Sequence, residues 1–298
     1  MIYLITVSLI WAFSFGLVKT GLSGLDPHFL AFGRILCALP LFLPFLVVKS
    51  LNRSLTIRLL LIGAMQYGVC YLAYLFAFQY LDSHQVALFA IMMPLYIVFI
   101  NGIYERKFPK YSLIMASLAV LGAGIIKYDG MSFQNLLTGF ICMQIANISF
   151  ALGEIQYRRL RHQNPHLVDR EIYAIVFTGA LIITAIATTV AGDWSTLSMM
   201  SAKQVIILAF LGVFATGLGF FWWNKGAVVS KIATLAVFHN IKVPLAILSS
   251  LIIFGEHTDY ERLILGGCVM FIAVYLSQKG FSSLLPNSLR KKEQPLNP

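Results

Sequence analysis

HQVALFAIMMPLYIVFINGIY, residues 84–104, is a run of 21 residues without a lysine, arginine, aspartate or glutamate. At 1.5 Å per residue it makes a helix about 30 Å long, the thickness of a bilayer's hydrocarbon core. Working outward from it, the chain shows ten such runs, at roughly 2–22, 28–48, 59–80, 84–104, 111–126, 136–157, 171–191, 204–224, 231–254 and 261–278. Turn and capping residues separate them: Leu25-Asp26-Pro27, Asn52-Arg53-Ser54, Phe108-Pro109-Lys110, Asn164-Pro165 and Gly192-Asp193-Trp194. Composition agrees, with 59% hydrophobic and only 11% charged residues over 298 positions. A soluble domain carries about 25% charged residues, so this chain cannot coat a water-exposed surface, and a soluble enzyme is excluded. The first run lacks a cationic n-region and exceeds the usual h-region, so it is read as a span and not as a cleaved signal.

Charge sets the orientation. One side of the predicted bundle receives Lys49, Arg53 and Arg58; Arg106, Lys107 and Lys110; Arg158, Arg159, Arg161 and Arg170; Lys225 and Lys231; and Lys279, Arg290, Lys291 and Lys292. The other side receives only Lys19, Lys127, Lys203 and Arg262, while Arg34 and Lys242 fall inside spans. Lysine and arginine accumulate on the cytoplasmic side of a membrane, so both termini are expected in the cytoplasm of a cell bounded by this inner membrane. The net charge of +10 is thus topological and does not imply a nucleic-acid partner. The residues after Gly280 are polar and basic, and 281–298 is expected to be a disordered cytoplasmic tail. Cys37, Cys70, Cys142 and Cys268 have no paired spacing and are read as buried free thiols.

The two halves repeat. Gly63 and Gly68 in the third run correspond to Gly212 and Gly217 in the eighth, and Pro94 and Glu105 to Pro244 and Glu256, at nearly equal separations. The prediction is an all-α integral membrane protein of ten transmembrane helices, built as two five-helix repeats over 1–130 and 131–280. Five is odd, so the second repeat is inverted. Inverted repeats give a transporter two conformations of similar energy, one open to each side.

Along almost its whole length the chain resembles the EamA branch of the drug/metabolite transporter superfamily. The stretches that carry this are Trp11-Ala12-Phe13-Ser14-Phe15, Phe32-Gly33-Arg34, and the blocks 94–105 and 244–256, the second ending Phe254-Gly255-Glu256. The resemblance implies a ten-helix transporter of two inverted halves. A closer resemblance is to the enterobacterial biotin-transporting members, through Gly63-Ala64-Met65-Gln66, Pro94-Leu95-Tyr96-Ile97, residues 122–129, Asn147-Ile148-Ser149-Phe150-Ala151, Trp223-Asn224-Lys225-Gly226-Ala227 and Val243-Pro244. It implies biotin uptake across the inner membrane.

Ionisable residues at membrane depth mark function. Lys242 lies 11 residues into its span, about 17 Å from either end, too deep to snorkel. Pro244 removes the hydrogen bond to the Asn240 carbonyl, placing that carbonyl, the Asn240 amide, His239 and Lys242 within about one and a half turns. Pro94 is expected to free the Ala90 carbonyl in the related span, and proline breaks at matching positions point to a transport site. Arg34 sits about 9 Å below the face at His28, within snorkelling reach, as a substrate or gate residue. The expected walls are Trp11 and Ser14, a stripe of Tyr67, Tyr71, Tyr74 and Phe78, and Gln144 with Asn147. Glu154 is expected to pair with Arg158 one turn along, which leaves two cations without a protein anion. A solute carboxylate fills that gap.

No Walker sequence is present, so transport is expected to be secondary, and the chain is read as neither an enzyme nor a holder of any cofactor or metal. Import of an anion opposes a negative-inside potential by about 2.3 kcal/mol per 100 mV, which makes a proton, carried by His239 or Lys242, an expected partner beside the solute and the lipid bilayer. Export of amino acids or related metabolites is the alternative direction and substrate class.

Overall fold

In the computed structural model, residues 2–48, 51–104, 106, 118, 121, 125, 133–230, 238, 239, 243, 245–257 and 259–279 are described. Seven helices among them are long and apolar enough to cross a membrane: α1 (Ile2–Gly21), α2 (Pro27–Phe45), α3 (Arg53–Ala77), α4 (Ser83–Tyr104), α5 (Phe133–Gln163), α6 (Asp169–Ala191) and α7 (Ala202–Val229). A further helix, α8 (Tyr260–Lys279), occupies the place of the tenth predicted run. Most of the fifth run and nearly half of the ninth lie outside the described residues, and with them Glu105, Asn240, Lys242 and Pro244. So does the predicted tail.

The turn residues read from the sequence start the helices by capping them. Asp26 Oδ1 accepts from the Phe29 amide at 2.7 Å ahead of α2, and Asn52 Oδ1 accepts from the Leu55 amide at 2.8 Å ahead of α3. Asp82 with Gln85, and Ser201 with Gln204, form capping boxes ahead of α4 and α7. In a medium without water these side chains satisfy amides that would otherwise be left bare.

Helices of the first half pack mainly on helices of the second: α3 on α5 and α6, α2 on α6 and α7, α1 on α7, and α4 on α5. At the glycines the helices approach closely. A Cβ on Gly63 would overlap the Val176 carbonyl of α6, and one on Gly179 would overlap the Leu60 carbonyl of α3. Gly212 and Gly217 in the same way let α7 lie against Arg34, Cys37, Ala38 and Leu41 of α2. Both glycine segments wind as π-helix, at Ala64–Val69 and Leu211–Leu218, and such bulges are frequent at functional sites. Where α3 meets α6 and α7, Phe42, Tyr67, Tyr173, Phe177, Phe220 and Phe221 form the aromatic core.

The helix ends fall into two groups. At the basic end, the Arg159 guanidinium lies 4.5 Å over the Tyr104 ring, and the Val47 amide donates to the Glu171 carbonyl. At the opposite end, Lys19 Nζ donates to the Phe78 and Leu81 carbonyls and pairs with Asp82 at 3.3 Å. Beside it Glu256 accepts from the Ser83 and His84 amides, His84 Nδ1 and Ser250 Oγ.

Two expectations change here. Pro94 does not free the Ala90 carbonyl, because Ala90–Met92 tightens to a 3-10 turn and the Met93 amide donates to Ala90. Asn147 Nδ2 of α5 instead donates to the Phe89 carbonyl, one residue earlier, at 3.0 Å. The cysteines are not uniformly buried either: Cys70 is, whereas Cys268 is exposed on the α8 surface.

Candidate functional site

Between the halves lies a cavity with about 560 Å³ of space unfilled by protein atoms, open solvent included. Its wall brings together Trp11, Ser14 and Phe15 from α1, Arg34 from α2, Cys70, Tyr71 and Tyr74 from α3, Ala90 and Met93 from α4, Met143, Ala146, Asn147 and Phe150 from α5, and Phe220 from α7. Six residues singled out in the sequence (Trp11, Ser14, Arg34, Tyr71, Tyr74 and Asn147) therefore share one chamber. It is apolar except for a few fixed polar groups, the usual character of a small-molecule site.

Arg34 is the charged group in this wall. It does not snorkel: it is 2% exposed, and Nε donates to Thr216 Oγ1 of α7 at 3.1 Å. The guanidinium lies 4.5 Å above the Tyr71 ring, and the Tyr71 hydroxyl is 2.9 Å from the same Thr216 oxygen. Thr216 itself donates to the Leu211 carbonyl five residues back, which the π-wound segment of α7 makes possible. That clamp fixes the plane of the guanidinium, and its Nη1 is buried without a hydrogen-bond partner among the described residues. No ion pair among the described residues includes Arg34.

The other polar groups are held by local bonds. Ser14 Oγ donates to the Trp11 carbonyl, which leaves its lone pairs toward the chamber. Trp11 Nε1 donates to the Ala215 carbonyl at 2.8 Å, pinning α1 to α7. Asn147 Nδ2 is shared between the Phe89 carbonyl and Gln144 Oε1. Gln144 stands behind the wall and accepts from the Tyr96 hydroxyl at 3.0 Å. Pro94 is buried on α4 next to the wall residue Met93.

On the basic side, buried polar contacts close the chamber. Gln66 and Asn224 exchange hydrogen bonds at 2.8 and 3.1 Å, Asn224 Nδ2 donates to the Tyr67 hydroxyl at 2.7 Å, and Tyr67 meets the Tyr173 hydroxyl at 2.5 Å. Tyr67 thus belongs to this closure and not to the chamber wall. Glu154 also belongs to it, which corrects the expected pairing. Its Oε1 accepts from Trp223 Nε1 at 2.6 Å and its Oε2 lies 3.1 Å from His239 Nε2, whereas Arg158 Nε points to His162. The expected i,i+4 pair yields because α7 and the ninth run pack against the face of α5 that carries Glu154. His239 stands behind the wall residue Phe150, with ring centroids 5.8 Å apart.

On the opposite side, a vestibule of about 1340 Å³, including open solvent, is lined by Val18, Lys19, Asp26, Leu30, Phe78 and Asp193 among others. Between vestibule and chamber, Phe15 packs edge-on against Tyr74 at 5.8 Å and Tyr74 against Phe78 at 5.1 Å.

Sequence reasoning missed Thr216, the anchor of Arg34, and the Glu154–Trp223–His239 group. A threonine one residue before Gly217 in an otherwise apolar run was the available signal for the first.

Residues 1–128 match the EamA-like transporter family. A probable biotin transporter of Pseudomonas aeruginosa is 36% identical over 282 residues, covering 94% of this chain and 98% of the relative. The biotin transporters of Salmonella typhimurium and Escherichia coli K12 are each 34% identical, covering 94% of this chain and 93% of theirs. A solved crystal structure, 13% identical, superposes with a TM-score of 0.65 over 93% of this chain and 96% of its own, which shows a shared fold. With apolar helices of spanning length and this similarity over nearly its whole length, the chain is a multi-pass membrane protein that belongs to the EamA-like transporter family.

Proposed function

We propose that the protein imports biotin, or a solute closely similar in shape and charge, by alternating access across the inner membrane. One observation carries the reading: a buried, pre-oriented Arg34 guanidinium with an unpartnered Nη1 faces an aromatic chamber. A carboxylate accepts from such a fork through charge-assisted bonds. Trp11, Tyr74, Phe150 and Phe220 offer apolar faces to the solute's body, and Ser14 and Asn147 offer polar contacts to a urea-like group. The relatives' names point the same way. An amino-acid substrate fits less well, since its ammonium needs an anion and no aspartate or glutamate lines the chamber among the described residues.

Lys242, Asn240, His239 and Pro244, from the ninth run, belong to the proposal as solute-binding residues. The inverted five-helix repeat is supported by the paired π-wound segments and by the matching contacts of α3 on α6 and α7 on α2. Both termini face the cytoplasm by the lysine and arginine bias, so the vestibule faces outward. A proton moves inward with the anion, offsetting its charge against the membrane potential.

Uptake of labelled biotin by cells expressing the protein, against cells lacking it, tests this. Saturable uptake that Arg34→Ala weakens is expected; uptake equal in the two strains would refute the reading.

A further inference from the structure

At the basic end of the bundle a separate recess opens between α3, α4 and α5, with about 650 Å³ of space, open solvent included. Arg58 of α3, Tyr104 of α4, and Gln156, Arg159 and Gln163 of α5 line it. Arg58 stands five residues inside the start of α3, and Arg159 four residues before the end of α5. At 1.5 Å per residue each lies about 6–8 Å in from its helix end, the depth of the lipid headgroup layer. Tyr104 ends α4 at the same level, where amphipathic rings collect.

The recess holds two cations, and no ion pair among the described residues includes either of them. The carboxylates of α5 and of the start of α6 are engaged elsewhere, Glu154 by Trp223 and His239 and Asp169 by Tyr157 and Arg161. Glu105, next to Tyr104 in sequence, lies outside the described residues. Both arginine side chains are exposed, and Arg159 is held over the Tyr104 ring, a contact that leaves its N–H donors for a ligand. Toward the membrane centre the same helix faces turn apolar and stay exposed. Leu61 lies one turn on from Arg58, and Ile148 and Ile141 lie eleven and eighteen residues before Arg159, about three and five whole turns. Ile103, beside Tyr104, is exposed as well. A ligand seated here meets cationic donors at one end and hydrocarbon-facing side chains at the other.

We propose that this recess binds an anionic glycerophospholipid of the leaflet that meets the basic end, with its phosphate between Arg58 and Arg159 and its acyl chains along the faces of Leu61 and Ile148. Guanidinium forks match phosphate oxygens through charge-assisted bonds, and Gln156 and Gln163 add neutral donors. Basic recesses between membrane helices suit such headgroups. A free phosphate would leave the apolar faces unused, and a zwitterionic lipid would bring an ammonium group beside two guanidiniums. The bound lipid also joins the halves, since α3 and α4 belong to the first and α5 to the second.

The test titrates the full-length protein in non-ionic detergent with phosphatidylglycerol or phosphatidylcholine of equal chain length, counting bound lipid by native mass spectrometry. The wild type is expected to bind one phosphatidylglycerol about tenfold more tightly than phosphatidylcholine. Arg58→Gln and Arg159→Gln are each expected to weaken it about fivefold and the double variant about 25-fold, whereas Arg170→Gln, the same charge lost outside the recess, leaves it unchanged. Tyr104→Leu keeps both charges and releases only the Arg159 plane, for an expected loss of about two- to fivefold. Equal affinity for the two lipids, or an equal loss in Arg170→Gln, would overturn the assignment. Displacement of the lipid by millimolar inorganic phosphate, but not by chloride of equal ionic strength, would give the recess to a soluble phosphate instead. Binding made more than about fivefold tighter by Glu105→Gln would show that carboxylate already in the phosphate's place. All the variants are expected to melt with the wild type in lipid-free detergent; a lower melting temperature in both arginine variants would make the arginines structural supports and overturn the proposal. None of these readings depends on which solute the chamber takes.

Discussion

Arg34 shows what a single side chain can decide. A guanidinium left with a bare Nη1 in a dry wall is an unfilled acceptor site, and a charge-assisted bond to it contributes about 1.5–3 kcal/mol. Arg34→Ala is therefore expected to weaken biotin binding by about 10- to 100-fold, read as KM in uptake or Kd by calorimetry. Arg34→Lys keeps the charge but not the planar fork and should fall between. Equal affinities in all three proteins would remove Arg34 from the site. Asn147 acts differently, because its buried amide bonds the Phe89 carbonyl and ties α5 to the turn before Pro94. Asn147→Ala is expected to lower stability by about 1–3 kcal/mol, seen as a reduced melting temperature in detergent. That Arg34 and Asn147 line the chamber was partly legible, since polar residues in apolar runs stand out. Their partners were not: Thr216 lies 182 positions from Arg34, and no local pattern links two helices that far apart.

At the scale of helices, close approach is the deciding feature. Gly63 and Gly179 let the backbones of α3 and α6 touch, and these contacts hold Tyr67 against Tyr173. Gly63→Leu or Gly179→Leu must push the helices apart and is expected to cost about 1–3 kcal/mol, measured by thermal melting; unchanged stability would mean that the crossing is looser than described. Spacing alone marked Gly63 and Gly212 as equivalent, because small residues at fixed intervals are a sequence property. Their helical winding was not visible. A π-turn forms when side-chain contacts on both flanks favour an extra residue, and those contacts come from other helices. The same cause explains the misread Pro94 break, where a 3-10 turn keeps the Ala90 carbonyl bonded by the Met93 amide.

For the molecule as a whole, contacts at the two ends decide which face is shut. At the end opposite the basic one, Glu256 ties the segment after Ser250 to the start of α4, and Ser83 Oγ donates in turn to the Phe15 carbonyl of α1. Burial raises the Glu256 pKa, but donors from His84, Ser250 and Ser83 outweigh it and hold the carboxyl at about 2. Because the folded value is depressed, the stabilisation is full above the ordinary carboxylate range and fades as pH falls through about 2. Glu256→Gln is accordingly expected to melt lower than the wild type at pH 7, with the gap steady down to about pH 4.5 and narrowing below it. A gap that widened on acidification would contradict this clasp. The sequence by itself determined that the chain crosses a membrane repeatedly, which helices carry charge and where they begin, because hydropathy, helix length and capping act over a few consecutive residues. Only the tertiary structure decided that Arg34 is clamped by Thr216 and Tyr71, that Glu154 meets His239 and not Arg158, and which residues share the chamber. Those relations depend on how helices from opposite halves rotate and pack against one another, and that is settled by the shapes of whole surfaces in contact.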